Sequence, residues 1–122
     1  MPNKRPPIKQ FTAAQRKLLL TRARLIHRQN EFDIRSLDRR SDTSFMNGRI
    51  LIITPAKIGS APKRNKLRRR LTALFYEEQF YKKPYDILVY TRKGSPELSF
   101  EFLKKLLHTT LDTLPSSERT KS

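Results

Sequence analysis

Apolar and polar residues follow one another along the chain in patterns that predict successive helices and strands. From Thr12 to about Ile26, apolar residues recur at helical spacing behind a capping box, which predicts a first helix with a broad buried face. Phe32–Leu37 alternates and predicts a first strand, and the polar residues after it, ending in the turn signal Asn47-Gly48, predict a hairpin. Ile50–Thr54 is a continuous apolar run, typical of an interior strand covered on both faces.

A second helix has the clearest pattern in the chain. It is predicted to begin at Ser60, a capping residue, with Pro62 in its first turn, where backbone N–H groups lack helical partners in any case. One side is apolar and is predicted to face a core: Leu67, Leu71, Leu74 and Phe75. The opposite side is predicted to hold Asn65, Arg68, Arg69, Thr72 and Tyr76.

The rest of the chain completes a sandwich of helices and strands. Asp86–Thr91 predicts another strand, so two apolar strands flank the second helix, as in a βαβ unit with parallel strands. Ser99 is predicted to cap a last helix that runs through about Leu111. The fold class is therefore a small two-layer α/β (α+β) sandwich. Its organisation is predicted as a flexible basic arm, a single domain and a disordered tail, at residues 1–10, 11–111 and 112–122.

Charge narrows the choice of partner. The 122 residues carry a formal net charge of +16, with a sequence pI near 10.8, which favours a polyanionic partner. Nucleic acid fits best, and a membrane is disfavoured because no apolar run approaches the ~20 residues that span a bilayer. The basic arm lacks the apolar segment of a signal peptide. The absence of cysteine excludes disulfides and fits a cytoplasmic location.

The positive charge is concentrated around the second helix. No carboxylate occurs between Asp42 and Glu77, whereas the exposed faces of ordinary helices mix both signs. The cations in this interval are Arg49, Lys57, Lys63, Arg64, Lys66, Arg68, Arg69 and Arg70. Arginine forks hold phosphates, and Asn65 can bond a base edge or a 2′-hydroxyl, so this helix is the candidate RNA-binding surface. Aromatic residues are either core or stacking platforms for bases: Phe32, Tyr76, Tyr81, Tyr85 and Tyr90.

No catalytic or metal-binding pattern accompanies this charge. His27 and His108 stand far apart without ligand spacing, and the three glycines do not form a phosphate loop. The carboxylates suggest no acid–base pair, and Asp86 is expected to pair with a nearby cation or to cap its strand. The sequence therefore predicts a protein without its own active site, metal or cofactor.

The stretch Lys57–Arg69 reads Lys-Ile-Gly-Ser-Ala-Pro-Lys-Arg-Asn-Lys-Leu-Arg-Arg and strongly resembles the signature of the bacterial ribonuclease P protein subunit. The apolar strand before it, Asp86–Lys93 and Leu98–Glu101 match that family in kind and spacing. The likeness covers about residues 11–111. Lys66 stands where the family has the second arginine of Arg-Asn-Arg, which keeps the charge and loses the fork.

The resemblance implies a four-stranded mixed sheet with about three helices, a fold shared with a domain of a small-subunit ribosomal protein. It also implies a left-handed βαβ crossover, against the usual rule. The partner would be the catalytic RNA of ribonuclease P, which cleaves the 5′ leader from precursor tRNA with its own Mg²⁺. The protein would need no further protein partner. Its RNA contacts would be Lys57, Lys63, Arg64, Asn65, Lys66, Arg68 and Arg69.

The same resemblance implies that the leader lies in a cleft between the sheet and the first helix. The leader contacts expected there are Phe32, Arg35 and Arg49. A structural ribosomal protein that binds rRNA through the same helix is the alternative. A DNA-binding regulator is disfavoured, because no helix-turn-helix spacing appears.

Overall fold

The chain forms three α-helices and four β-strands within residues 11–42 and 47–115, which are the residues that the structure, a computed structural model, describes. The elements are α1 (Ala13–Arg22), β1 (Arg24–Gln29), β2 (Phe32–Asp38), β3 (Ile50–Ile53), α2 (Ala61–Glu77), β4 (Tyr85–Thr91) and α3 (Phe100–Leu111). Single 3₁₀ turns lie at Ala56–Ile58, Phe80–Lys82 and Ser95–Glu97. The predicted α+β class is confirmed.

The strands form one mixed sheet in the order β1-β2-β4-β3. β2 is antiparallel to both of its neighbours, whereas β3 runs parallel to β4, from Ile50 beside Ile87 to Ile53 beside Tyr90. The βαβ unit predicted from the two apolar strands is therefore confirmed as β3-α2-β4.

Two predictions about β3 are wrong. A hairpin from β2 into β3 would make these strands neighbours, but β4 lies between them. Residues 43–46 of the connection lie outside the described residues. β3 is also an edge strand rather than an interior one, although both of its faces are covered, as predicted. Its apolar run arises because Ile50 and Ile52 pack against one cluster of the core, while Leu51 and Ile53 pack against the other.

The first helix is shorter than predicted, because a strand follows it directly. Its capping box is confirmed: Gln15 N donates to Thr12 Oγ1 at 3.1 Å, and Thr12 N donates to Gln15 Oε1 at 2.9 Å. The helix ends where Ala23 turns extended, and the next six residues pair with β2 as β1. The expected broad buried face is wrong, since Leu18 is 47% exposed and Leu19 is the buried residue of α1.

The main core lies between one sheet face and the helices α2 and α3. The predicted inward residues of both helices are buried there: Leu67, Leu71, Leu74, Phe75, Leu103, Leu106, Leu107 and Leu111. On the opposite face, α1 places Leu19 and Ala23 against Leu88 of β4. Among the described residues, one short helix covers this second face and leaves part of the sheet exposed.

The chain remains packed for a few residues beyond α3. Leu114 packs against the core, and Lys83 Nζ donates to the carbonyl oxygens of Leu111 at 3.0 Å and Leu114 at 2.8 Å. Of the predicted disordered tail, residues 112–115 thus have defined contacts, and 116–122 lie outside the described residues, as does the predicted arm 1–10. No helix of the described ranges has the length and apolar character needed to cross a bilayer.

Candidate nucleic-acid interface

The basic helix α2 begins a few residues after β3, from which one 3₁₀ turn separates it. Pro55 ends β3, and a 3₁₀ turn leads to Ser60, whose backbone takes the N-cap position with Pro62 in the first turn. Ser60 is the N-cap residue, as predicted, but its side chain makes no capping bond among the described residues. The first-turn N–H groups therefore stay available, and with the helix dipole they attract anions.

Most of the predicted RNA-binding residues are exposed on the outer side of α2 and the turn before it, which is the side that faces away from the core. Lys57, Lys63, Asn65, Lys66 and Arg69 are all exposed. An ion pair of Lys63 with Glu97 at 3.7 Å is solvated on both sides and therefore weak.

Two half-buried arginines of α2 are held in place by hydrogen bonds. Arg64 Nε donates to the carbonyl oxygen of Gly59 at 3.2 Å. Arg68 donates from Nη1 to Thr54 Oγ1 at 2.5 Å and from Nη2 to Asn65 Oδ1. These bonds fix the two guanidinium groups in direction before any ligand arrives. Tyr76, expected on the same side, is buried in the core instead, since it lies at the end where α2 meets the 3₁₀ turn Phe80–Lys82.

A second charged surface lies on the open face of the sheet, beside the end of β4. A cavity of about 380 Å³ is lined there by Lys57, Tyr90, Thr91, Arg92 and Lys93. Tyr90, a predicted stacking candidate, is 37% exposed. The sequence pattern did not single out Arg92 and Lys93 as site residues, although they directly follow a strand end next to the basic segment.

The other predicted aromatic platforms are buried or half-buried. Phe32 is fully buried in the main core, because the pleat of β2 directs it toward α2 and α3, so it offers no face to a base and its assignment as a leader contact is wrong. Tyr85 is 4% exposed and Tyr81 is half-buried against the core. Of the five stacking candidates, Tyr90 is thus the exposed one.

The remaining predicted leader contacts, Arg35 and Arg49, are half-buried. Arg35 lies in the middle of β2, beside Leu88 of β4. Arg49 donates from Nη2 to Asp86 Oδ2 at 2.7 Å, and its guanidinium carbon lies 4.5 Å from the centre of the Phe11 ring. Arg49 is therefore fixed at one end of the face that α1 covers.

Two buried carboxylates organise arginines at opposite ends of this face. Asp86, with 1% of its side chain exposed, pairs with Arg39 and Arg49 at 2.7 Å each, which confirms the predicted pairing of Asp86 with a cation. Asp33 accepts bonds from Arg28 at 2.9 Å and Arg92 at 2.6 Å. Burial acts to raise the pKa of Asp33, but the two guanidinium groups outweigh it and hold the pKa below its usual value.

The histidines have structural partners. His108 of α3 bonds Glu78 and Asp112 at 2.8 Å each, and hydrogen bonding to Glu78 foremost raises the pKa of His108. His27 bonds the side chain of Gln29 at 2.6 Å. No cluster of His, Cys, Asp and Glu suited to a metal ion occurs within 11–42 and 47–115.

Fold and charge together describe a basic α+β protein whose arginine-rich helix connects two parallel strands. Solved structures share this fold: the RNase P protein of Staphylococcus aureus has a TM-score of 0.72 at 17% identity, covering 88% of this chain and 95% of that one. The RNase P protein from Thermotoga maritima has a TM-score of 0.68 at 22% identity, covering 88% of this chain and 100% of that one.

Sequence comparison gives the family. The family model described as Ribonuclease P matches residues 10–115, and this chain belongs to that family. The Ribonuclease P protein component of Bacillus velezensis is 37% identical over 59 residues, which cover 48% of this chain and 51% of that protein. The chain thus matches about half the length of this curated relative.

Proposed function

We propose that this protein is the RNA-binding subunit of ribonuclease P, which assists a catalytic RNA in removing the 5′ leader from precursor tRNA in the cytoplasm. The observation that carries the proposal is the outer side of α2, where Arg64 and Arg68 are tethered in place and no carboxylate of residues 43–76 opposes them. Ordered guanidinium groups on a rigid helix lose little entropy on gripping phosphates.

The catalytic RNA docks against the outer side of α2. Lys57, Lys63, Asn65, Lys66 and Arg69 add exposed charge and a base-edge donor around the two tethered arginines. If about five phosphates are neutralised, the logarithm of affinity falls with the logarithm of salt with a slope of about −4.

The leader lies across the open sheet face beside α1. There Tyr90 offers a stacking surface, and the 380 Å³ cavity with Lys57, Arg92 and Lys93 offers cations for the backbone. Arg35 and Arg49 lie further along the same face. Chemistry at the scissile phosphate belongs to the RNA and its Mg²⁺, and the protein's residues bind and orient.

Reconstitution with a ribonuclease P RNA tests the proposal. Adding the protein is expected to allow cleavage of precursor tRNA at a Mg²⁺ concentration where the RNA alone is inactive. Arg68→Ala is expected to raise the protein concentration required, whereas Lys105→Ala on α3 removes an exposed cation elsewhere and serves as the control. A protein that leaves both the Mg²⁺ requirement and substrate affinity unchanged, and that sediments with ribosomes, would instead be a structural rRNA-binding protein.

A further inference from the structure

A row of three neighbouring side chains crosses the sheet at the open end of its solvent-facing side. Arg28 of β1 lies beside Asp33 of β2, which lies beside Tyr90 of β4. Residues directly opposite one another on adjacent strands project from the same face. The carboxylate of Asp33 therefore stands between an arginine and the exposed tyrosine of the proposed leader surface.

Asp33 is the anchor of a guanidinium at the rim of the cavity. Arg92 Nη2 forms an ion pair with Asp33 Oδ1 at 2.6 Å, and Arg92 Nη1 donates a hydrogen bond to the carbonyl oxygen of Gln29 at 2.9 Å. Arg28 also bonds both carboxylate oxygens of Asp33, with Nε to Oδ1 at 2.9 Å and Nη2 to Oδ2 at 3.3 Å. Arg92 is thus fixed at two points of the β1–β2 hairpin.

The guanidinium of Arg92 keeps N–H donors for a ligand. It carries five N–H groups, and its contacts with Asp33 and Gln29 involve two of them. Its side chain is 34% exposed, and it lines the cavity together with Lys57, Tyr90 and Lys93. The free edge of the fork is therefore available to an anion next to the ring of Tyr90.

A carboxylate on a polyanion-binding face repels the ligand and is expected to weaken binding, unless it orients a residue that binds the ligand. Asp33 has 9% of its side chain exposed, and two arginines enclose it, so its own repulsion of a phosphate is largely cancelled. Holding a flexible arginine in its bound direction removes ordering entropy that a ligand would otherwise have to supply.

We infer that Asp33 is a positioning residue, which fixes Arg92 so that its guanidinium grips the phosphodiester of a single-stranded RNA whose base stacks on Tyr90. The inference rests on the proposed function, in which a single strand crosses this face. It assigns to Asp33 an effect of opposite sign to simple electrostatics, because removing a carboxylate from a protein of net charge +16 should otherwise strengthen RNA binding.

Binding of fluorescein-labelled decauridylate to the full chain tests the inference without any ribonuclease P RNA. Asp33→Asn is expected to weaken binding about fivefold, a partial loss of one charge-assisted contact. Asp38→Asn is the matched control, because Asp38 lies on the same strand, pairs with the exposed Arg40, and changes the net charge equally. The control is expected to bind as tightly as the wild type or slightly more tightly.

A second variant separates positioning from a loss of folding. Arg92→Lys keeps the charge but cannot span Asp33 and Gln29, so it is expected to weaken binding by the same factor, and the double variant with Asp33→Asn to lose no more. Should Asp33→Asn fail to fold, Arg92→Lys decides alone, provided that its melting temperature is unchanged. The inference is wrong if wild type does not bind the probe, if Asp33→Asn binds like Asp38→Asn, if the two losses add, or if Arg92→Lys binds like wild type.

The proposed function and this inference can fail separately. Failure of the protein to assist a ribonuclease P RNA, with the Asp33→Asn effect on decauridylate intact, removes the proposed partner and leaves the strand site. Full assistance by the wild type, with Asp33→Asn indistinguishable from Asp38→Asn, removes the positioning role alone.

Discussion

Arg68 of α2 donates a hydrogen bond to Thr54 Oγ1 at 2.5 Å, just beyond the last residue of β3. The bond joins the helix to the strand that precedes it in the βαβ unit. It also sets the direction in which the guanidinium leaves the helix, with Asn65 as the second acceptor. Orientation of this arginine is therefore a property of the folded protein before any ligand binds.

Arg68→Ala is expected to weaken binding to a ribonuclease P RNA by about 1–3 kcal/mol, the scale of hydrogen bonds to charged groups. The fold should survive, because Arg68 is half-buried and lies outside the main core. Filter binding at several salt concentrations measures both affinity and the number of phosphates neutralised. Leu71→Ala, on the buried side of the same helix, should instead destabilise the protein by about 2–5 kcal/mol. Wild-type RNA affinity in Arg68→Ala would remove this surface as the interface.

The elements predicted best are those with strong local patterns. Ser99, for example, accepts a bond from Phe102 N at 3.0 Å and begins α3 as expected, and the long apolar stripe of α2 is buried as predicted. β1 could not be predicted, because Ala23 and Ile26 also continue the helical spacing of α1. Only pairing with β2 makes that segment a strand, and pairing is not a local property.

In the candidate site, too, the residues that form a local pattern were predictable and those brought together by strand pairing were not. Charge on α2 is contiguous in sequence and was predicted, together with Asp86 as a partner of cations. The Asp33–Arg92 pair joins residues far apart in the chain and depends on strand order, which places β4 beside β2. Phe32 was misassigned for a related reason: which face of β2 meets the core depends on which helices cover the sheet.

Asp86→Ala is expected to be the most damaging single change outside the apolar core. It would leave Arg39 and Arg49, with 16% and 17% of their side chains exposed, without the carboxylate that both contact. Breaking a buried ion pair by removing one partner costs about 3–5 kcal/mol, because the charge left behind stays desolvated. Urea unfolding measures the loss. Asp42→Ala, which removes a more exposed partner of the same Arg39, is the control and should cost far less.

Gly48→Ala tests a close backbone approach ahead of β3. A Cβ at Gly48 would lie 2.5 Å from the carbonyl oxygen of Tyr85 and 3.0 Å from that of Lys83, so the backbone must shift. We expect a loss of about 1–3 kcal/mol, as for other overpacked sites. Gly59→Ala is the matched control, because the nearest atoms to its Cβ are side-chain carbons of Lys63 at 3.6 Å. Equal melting temperatures for the two variants would contradict the predicted steric cost at Gly48.

Stability is expected to depend on pH through His108, which joins the ends of α2 and α3. Its bonds to Glu78 first and Asp112 second raise the pKa of His108 above 6.5, so the stability that the charged ring adds is complete below pH 6.5. That contribution is lost as the pH rises through the raised pKa of the folded protein.

The carboxylate side of this contact has the opposite dependence. The hydrogen bond from His108 lowers the pKa of Glu78 below 4.5, with Lys104 also facing it at 3.7 Å, so the contribution of Glu78 is complete above pH 4.5 and fades as the pH falls through the lowered value. The pair therefore stabilises most between pH 4.5 and 6.5. Urea midpoints from pH 5 to 9 should decline in the wild type and flatten in His108→Gln. His27→Gln, whose ring bonds the Gln29 amide, should keep the wild-type slope. A slope that survives in His108→Gln would assign the pH dependence to other groups.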